Sequence, residues 1–271
     1  MSKIALQSYN VVAETLLIPL YCRALEARRP DALLRDDQAA ALVEQIDYDF
    51  SRIKPQGHDQ VATIMRAREF DGRARDFLAR HPGAAVVHIG CGLDTRFARV
   101  DDGRVEWYDL DLPEVIELRR KLQMGEAPRC HPLGCSVFDP AWLAAVSAHA
   151  DRSFLFLAEG VLPYFEEAQV KGLVLLLKER FPGAELVCDA MTPLMIRMHN
   201  VELAFTRIGA RLHWGLQHGR DVEGWGAGIS MLSEWFYFDS PEPRMGPSQL
   251  MRYLAPFAKG VGIFHYQLGS R

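Results

Sequence analysis

Residues 85–96 have the sequence Ala-Val-Val-His-Ile-Gly-Cys-Gly-Leu-Asp-Thr-Arg, an apolar run that ends in two glycines. Its valines and isoleucine favour a buried strand. Gly90 and Gly92 let the backbone turn sharply and approach a ligand, because no Cβ is in the way. About twenty residues later comes a second apolar-to-acid edge, Val-Glu-Trp-Tyr-Asp-Leu-Asp at 105–111. This layout is typical of a nucleoside-binding βαβ unit, with a glycine loop after one strand and a carboxylate for ribose hydroxyls after the next.

The glycine pattern also indicates which nucleoside ligand the loop would accept. A dinucleotide-binding fingerprint carries a third glycine, which lets the helix N-terminus hold a pyrophosphate. In this chain that position is Thr95, and Asp94 precedes it. An acid would repel a pyrophosphate but is compatible with a cationic ligand. S-adenosylmethionine carries a sulfonium and an ammonium group, so the pattern favours this cofactor, with a plain tight turn as the alternative interpretation.

Composition bounds the class of protein. The 271 residues allow one large domain or two small ones, and a hydrophobic content of 49% is ample for a core. The net charge is −4 and no basic run is present, so a nucleic-acid partner is not indicated. Arginine pairs at 28–29 and 119–120 are flanked by acids, and we interpret them as solvated helix faces.

The cysteines and the lengths of the apolar stretches indicate the cellular compartment. Five cysteines form an odd, dispersed set, which argues against a disulfide framework and for a reducing cytoplasm. The spacing of Cys130, His131 and Cys135 matches no zinc pattern. No stretch approaches the ~20 apolar residues of a membrane span, and the N-terminus does not resemble a secretory signal. The sequence therefore predicts a cytoplasmic protein without a metal or a membrane contact, and it leaves the oligomeric state open.

The first third of the chain is predicted to be helical. Apolar spacing predicts helices over 4–29, 37–46 and 59–80, and Pro19 is expected to break or kink the first of them. We interpret residues 1–83 as a helical cap on the sheet and not as a separate domain.

Strands and helices alternate in the rest of the chain. Helix start signals lie at Pro113, Pro140, Glu166 and Pro247. The predicted strands are 85–89, 105–109, 131–135, 153–158, 185–190, 232–238 and 261–268. Strict alternation with short turns predicts a doubly wound, mostly parallel seven-stranded α/β sheet of the Rossmann-like class.

A single domain is expected, and one segment of it stands apart. Residues 84–190 would form the cofactor-binding core and 232–271 the end of that core. Residues 191–231 show no β period, and an insertion of this length is usually functional, as a lid or a pocket wall.

Five segments together resemble one family. Ile-Gly-Cys-Gly-Leu-Asp-Thr-Arg at 89–96, Tyr-Asp-Leu-Asp-Leu-Pro-Glu-Val at 108–115 and Ala-Glu-Gly-Val-Leu-Pro-Tyr at 158–164 resemble the leucine carboxyl methyltransferase superfamily. Within it, Gln-Ile-Asp-Tyr-Asp-Phe at 45–50 and Phe-Asp-Ser-Pro-Glu-Pro-Arg at 238–244 resemble the bacterial branch that contains the tetracenomycin polyketide O-methyltransferase. The resemblance implies a class I methyltransferase fold that uses S-adenosylmethionine, with a helical cap over the substrate.

The resemblance also implies a cofactor loop and a ribose site. The loop under the methionine part of the cofactor would comprise Gly90, Cys91 and Gly92. Asp111, followed by Leu112, would accept hydrogen bonds from both ribose hydroxyls. Asp109 would take this role if the second strand ended earlier, and a surface acid that caps the following helix is the purely structural alternative for Asp111.

Two further charged residues are assigned in the same way. The family places an arginine on the methionine carboxylate, and Arg66 matches its position; a planar guanidinium can bind a carboxylate through two hydrogen bonds. Arg68, two residues further along the helix, points about 200° away and should face solvent. Glu159 follows a central strand, at the edge where doubly wound folds bind ligands, and would lie near the ammonium or sulfonium group.

The adenine site departs from the family pattern. The wider superfamily often carries an aspartate after the third core strand, but this chain has Ser136, with Asp139 three residues later. Either the Ser136 hydroxyl and the Val137 backbone hold adenine, or that contact is weaker.

Candidate substrate residues lie in the cap and the insertion. They are Tyr21, His199 and Trp214, while His88 lies inside the first core strand and is interpreted as a core histidine. No catalytic residue is identified, and the Gly-x-Ser-x-Gly motif of a nucleophile elbow is absent. A carboxylate acceptor is ionised at neutral pH and needs no base, whereas a phenol would need one.

The predicted function is therefore an S-adenosylmethionine-dependent O-methyltransferase for a small molecule. The expected acceptor is a carboxylate of a polyketide or another aromatic secondary metabolite. The alternatives are a protein C-terminal carboxyl methyltransferase and a non-catalytic Rossmann-like nucleotide-binding protein. A nicotinamide-dependent oxidoreductase would need a glycine at position 95 and a catalytic tyrosine–lysine pair or histidine.

Overall fold

The computed structural model describes residues 3–5, 12–53, 57–149, 151–204 and 210–270. In these residues, a seven-stranded sheet has the strand order β5-β4-β3-β6-β7-β9-β8. Its strands are β3 (Ala85–Ile89), β4 (Glu106–Asp111), β5 (Cys130–Gly134), β6 (Phe154–Ala158), β7 (Ala184–Met191), β8 (Ile229–Phe236) and β9 (Val261–Leu268). The five neighbouring strands β5, β4, β3, β6 and β7 are parallel, and β9 pairs antiparallel with both β7 and β8. The predicted Rossmann-like, mostly parallel sheet is confirmed.

Helices cover the sheet and form the N-terminal cap. In the described part of the chain they are α1 (Val12–Ala27), α2 (Asp37–Gln45), α3 (Gly57–Arg80), α4 (Arg96–Val100), α5 (Pro113–Lys121), α6 (Ala141–Val146), α7 (Glu167–Arg180), α8 (Pro193–Ala204) and α9 (Ala255–Ala258). The predicted starts at Pro113, Pro140 and Glu166 are confirmed, and Glu166 forms a capping box with Gln169. None of these helices is long and apolar enough to cross a bilayer.

Alternation along each strand builds two separate cores. Val87 and Ile89 of β3 pack into one core, whereas Val86 packs into the other, together with Trp107 and Leu155. Successive strand residues point to opposite faces, so a continuous apolar strand buries both faces only if both are covered. This arrangement leaves the carboxyl edge of the parallel strands as the place where loops can form a site.

The start of the cap differs from its prediction. Ile4–Ala5 form a short strand (β1) that pairs in parallel with Ile46–Asp47 (β2). The predicted helices 4–29 and 37–46 had included residues 4, 5 and 46. Residues 6–11, also in the first of these predicted helices, lie outside the described residues. The helix α1 continues through Pro19, so of the predicted break or kink, the break is wrong. Buried neighbours on both sides of Pro19 hold the helix by packing, which outweighs the loss of one backbone hydrogen bond.

The late segments also differ in detail. Strand β8 begins at Ile229, so the last residues of the predicted 191–231 insertion belong to the sheet. Pro247 does not start an α-helix, because it lies in a 3₁₀ segment, Pro243–Tyr253, that is kinked at Gly246. Local sequence could not decide either point, since edge pairing and the kink depend on packing against β9 and α3.

Candidate functional site

A cavity of about 290 Å³ opens at the carboxyl ends of β3, β6 and β7. This is the edge at which doubly wound sheets bind ligands. Its lining comes from the cap, the glycine loop, the ends of β6 and β7, and the insertion: Thr15, Leu16, Pro19, Arg23, Arg66, His88, Gly90, Cys91, Gly92, Leu93, Asp94, Glu159, Gly160, Pro163, Tyr164, Asp189, Met191, His199 and Leu212.

The backbone of the loop after β3 requires both of its glycines. Gly90 has φ +63° and Gly92 has φ +49°, values that L side chains rarely adopt. A Cβ on Gly90 would lie 2.8 Å from a γ-carbon of Val161, and one on Gly92 would lie 2.9 Å from a δ-carbon of Leu16. The loop is therefore close-packed on two sides and presents bare backbone to the cavity.

Asp111 connects the end of β4 to this loop. One carboxylate oxygen accepts the Gly92 N–H at 2.7 Å, and the other accepts the Leu112 N–H at 2.7 Å. A carboxylate has about four lone-pair positions, so both oxygens can accept further hydrogen bonds. Burial raises the pKa of Asp111. The predicted ribose acid and the predicted glycine loop are thus in direct contact, and Leu112 is exposed beside them.

Asp109, the alternative ribose residue, is already bonded by other side chains. Its carboxylate is buried and accepts the Trp107 indole N–H at 2.8 Å and a short hydrogen bond from Arg119. Burial alone would raise the pKa of Asp109, but Arg119 and His88 lower it to about 2. The interpretation of Arg119 as a solvated residue is wrong, because its guanidinium also donates to the carbonyl oxygens of Gly92 at 2.8 Å and Asp94 at 2.9 Å.

The two arginines of α3 separate as the helical period predicts. Arg66 lines the cavity, and Arg68 is exposed. The Arg66 guanidinium donates through Nε to Glu159 at 2.9 Å and through Nη1 to Asp189 at 3.0 Å. These bonds use two of its five N–H groups. Asp189, at the end of β7, was not recognised in the sequence.

Arg96 is a second residue that the sequence did not single out. Its side chain is 0% exposed, donates to Asp71 at 2.7 Å and to Glu159 at 2.5 Å, and forms an ion pair with Asp94 at 3.0 Å. These acids come from α3, the glycine loop and the end of β6. Nothing local marks the cluster, since its members lie up to 63 residues from Arg96.

Asp94 has a different role from the expected one. Its oxygens bond to Arg96 and Arg99, each at 3.0 Å. Burial alone would raise the pKa of Asp94, but these arginines and Arg23 hold it well below its usual range. The charge of Asp94 is therefore compensated within the protein, and its presence alone does not require a cationic ligand.

The predicted adenine residues lie at the neighbouring strand end. Ser136 and Val137 follow β5, which pairs with β4 through Gly134 and Asp111. The Ser136 hydroxyl accepts the Phe138 N–H at 3.3 Å, and the Val137 carbonyl accepts the Trp142 indole N–H at 3.0 Å. Both residues therefore continue the carboxyl edge beyond Asp111.

The candidate substrate residues do not come together. Tyr21 stacks on Phe50 with a centroid separation of 5.0 Å, and Trp214 is 3% exposed in the core. Of the three, His199 on α8 lines the cavity described above, with its side chain 41% exposed. His88 is buried in β3, as expected for a core histidine, with Nε2 at 3.1 Å from Arg96, but it also lines this cavity.

A larger cavity of about 730 Å³ lies toward β8 and β9. Leu216 and Thr192 line it, whereas Met191 lines the smaller cavity. The Leu216 N–H donates to the Met191 carbonyl at 2.8 Å, so this backbone contact lies between the two cavities.

The smaller cavity fits the methyl donor that the sequence predicted. Its glycine loop presents backbone without side chains, and its lining carries both carboxylates and guanidiniums. The amino-acid end of S-adenosylmethionine carries both signs of charge, and the adjoining Asp111 can accept hydroxyl donors. The chemistry of the residues therefore matches both ends of this molecule.

Comparison with known proteins agrees with this interpretation. The sequence model of the leucine carboxyl methyltransferase family matches residues 17–177. The tetracenomycin polyketide synthesis O-methyltransferase TcmP of Streptomyces glaucescens is 38% identical over 85% of this chain and 84% of its own length. An S-adenosyl-L-methionine-dependent methyltransferase of Gibberella zeae, dpfgK, is 32% identical over 82% and 81%.

Solved structures share the fold at low sequence identity. A DUF574 family protein from Streptomyces avermitilis superposes with a TM-score of 0.55 at 16% identity, covering 91% of this chain and 96% of that one. Magnesium protoporphyrin IX methyltransferase from Synechocystis, solved with bound SAH, gives a TM-score of 0.50 at 12% identity, covering 85% and 93%. The matched family model and the curated relatives show that this chain belongs to the leucine carboxyl methyltransferase family and is an S-adenosylmethionine-dependent methyltransferase.

Proposed function

We propose that the protein is an O-methyltransferase that converts a carboxylate of a polyketide or another aromatic secondary metabolite into its methyl ester. The Streptomyces relative is a polyketide synthesis O-methyltransferase, which supports the acceptor class. We further propose one domain, with 1–83 as cap and residues 192–228, between β7 and β8, contributing to the pocket wall. Five free thiols are compatible with a cytoplasmic enzyme.

Among the described residues, the lining groups other than His199 support the proposal of a carboxylate acceptor, because none of them is placed to act as a base. Burial raises the pKa of Cys91 and of Tyr164, so neither is a base at neutral pH. The lining carboxylates of the described residues bond to arginines, and His88 bonds to Arg96. An acceptor carboxylate is already ionised and needs only to be positioned, a contribution of about 7–11 kcal/mol in favourable cases.

The proposed cofactor contacts follow from the same geometry. When bound, the cofactor supplies an electrophilic methyl group on a sulfonium. Asp111 would accept the ribose hydroxyls, and Arg66 would use its remaining N–H groups for the methionine carboxylate. Leu112, Ser136 and Val137 would border the adenine, and the cap would exclude water.

A protein C-terminus is less well matched as the acceptor. Such a substrate needs a groove for the residues that precede its carboxylate, and the cavity of about 290 Å³ would also have to hold the cofactor. A small molecule that enters beside His199 is therefore the proposed acceptor.

Exchanging the two α3 arginines for lysine should separate their roles. We expect Arg66→Lys to weaken S-adenosylmethionine binding by about tenfold, because lysine cannot replace a planar, two-pronged donor. Arg68→Lys is the matched control on the exposed face and should change affinity by less than about twofold. Calorimetric titration measures both, and equal losses in the two variants would contradict the assignment of Arg66.

The nature of the acceptor can be decided with paired compounds. We expect labelled methyl transfer from S-adenosylmethionine to aromatic carboxylic acids, with a rate that is level between about pH 6 and 9, because the acceptor stays ionised. The product label should be released by mild alkaline hydrolysis, as for an ester. His199→Gln should lower this rate by less than about threefold.

Matched phenols serve as the opposing test. Alkali-stable label on a phenol, a rate that rises with pH, and loss of transfer in His199→Gln would together show that His199 is a general base. That result would overturn the carboxylate proposal while leaving the methyltransferase class intact.

A further inference from the structure

Three carboxylates line the smaller cavity, and they are not equally compensated. The side chains of Asp94, Glu159 and Asp189 face two lining guanidiniums, those of Arg23 and Arg66. Apart from histidines, the described lining therefore carries one more negative than positive charge. A buried carboxylate without a full counterion is costly, so the least compensated acid is the one that gains most from a cationic ligand.

The number of arginine partners identifies Asp189 as that acid. Asp94 forms ion pairs with Arg96 and Arg99, and each oxygen of Glu159 accepts a hydrogen bond from a separate arginine. Asp189 accepts the Gly160 N–H at 2.7 Å on one oxygen, and Arg66 Nη1 at 3.0 Å on the other. Arg66 is the guanidinium that bonds Asp189 within the described residues, and Glu159 shares it.

The protonation equilibria of the three acids agree with this ranking. Burial opposes ionisation of each of them. Arg96 and Arg66 hold the pKa of Glu159 below its usual value, and Arg96 and Arg99 do so more strongly for Asp94. For Asp189, burial raises the pKa, and Arg66 and the Gly160 N–H offset this only in part. Asp189 is thus a 95% buried carboxylate in a cavity wall whose charge is incompletely matched.

We infer that Asp189 receives the α-ammonium group of S-adenosylmethionine, with Arg66 on the adjacent carboxylate; this assignment rests on the role proposed for Arg66. The ammonium and carboxylate of the donor are attached to the same carbon, so their protein partners must be neighbours. Asp189 and Arg66 are in contact and have opposite charges. An ammonium also donates charge-assisted hydrogen bonds to a carboxylate, which a sulfonium cannot do. Glu159 then serves to hold Arg66.

A thermodynamic cycle that removes the Asp189 carboxylate, the ligand's α-amino group, or both tests the inference. The ligands are S-adenosylhomocysteine and its analogue without the α-amino group, titrated calorimetrically into wild type and Asp189→Asn. We expect either single change to weaken binding by about tenfold or more, and the second change to add little to the first. Asp239→Asn is the control, because this exposed acid also accepts a backbone N–H but lies outside the cavity lining.

The other possible results of this titration contradict either the inference or the cofactor site. Unchanged affinity of Asp189→Asn for S-adenosylhomocysteine, or additive losses in the cycle, would overturn the inference. So would a loss confined to S-adenosylmethionine, which would point to the sulfonium. If Asp189→Asn does not fold, wild type alone decides, since equal affinity for the two ligands excludes an ammonium contact. Failure of wild type to bind S-adenosylhomocysteine would instead refute the cofactor site itself.

Discussion

Replacing Arg96 with methionine should lower the free energy of unfolding by about 3–5 kcal/mol, the range expected when one partner of a buried ion pair is removed. The guanidinium is fully buried and bonds to Asp71, Asp94 and Glu159. Methionine fills a similar volume but leaves these carboxylates with less compensation. The effect should also reach the cofactor site, since Glu159 and Asp94 line it.

Arg75→Met is the matched control for this substitution. Arg75 lies 3.9 Å from Asp71, one of the same carboxylates, but its side chain is 51% exposed. Solvent screens such a pair, so we expect a loss of at most about 1 kcal/mol. Urea denaturation of both variants measures the difference. Similar small losses in the two variants would mean that water or relaxation replaces the Arg96 guanidinium, and would contradict its structural role.

Replacing Asp111 with alanine should weaken S-adenosylmethionine binding by at least about tenfold. Hydrogen bonds to a charged group contribute about 1.5–3 kcal/mol each, and the ribose would lose two of them. The variant also frees the Gly92 and Leu112 N–H groups that Asp111 now binds. Both effects act on the cofactor site, so a control must separate loss of the ribose contact from loss of a backbone anchor.

Asp102→Ala provides that control at the opposite end of β4. Asp102 also accepts two backbone N–H groups, from Arg104 and Val105, each at 2.9 Å. Calorimetry should show near-normal affinity for this variant and weak binding for Asp111→Ala. An unchanged affinity in Asp111→Ala would refute the ribose role and leave Asp111 as a backbone anchor alone.

Local sequence was sufficient for the main elements of the fold. The strand at 85–89, the acid at the end of β4 and the helix starts at Pro113 and Glu166 were all predicted, because each depends on neighbouring residues. Strand burial, glycine turns and helix caps are short-range effects. The two-residue pairing of β1 with β2 was missed, because pairing between residues 42 positions apart leaves no periodic trace.

Polar residues were predicted less well than apolar ones. The helical period predicted that only one of two arginines two positions apart can face inward, and the family resemblance selected Arg66, which lines the cavity. Arg119 was assigned to solvent because the acids beside it in sequence are not the acid it binds. Trp214 was assigned to a pocket wall, yet it packs into the core, because its burial depends on how the insertion folds over the sheet.

The sequence by itself determined a glycine loop followed by a strand-end carboxylate, at the carboxyl edge of a parallel sheet where we propose the nucleoside site. It did so because backbone conformation and strand period are encoded in adjacent residues. Only the tertiary structure decided how the site is charged. Glu159, Asp189 and the arginines that bond them come from distant elements, and the free energy of each buried charge depends on partners that chain folding alone brings within 3 Å.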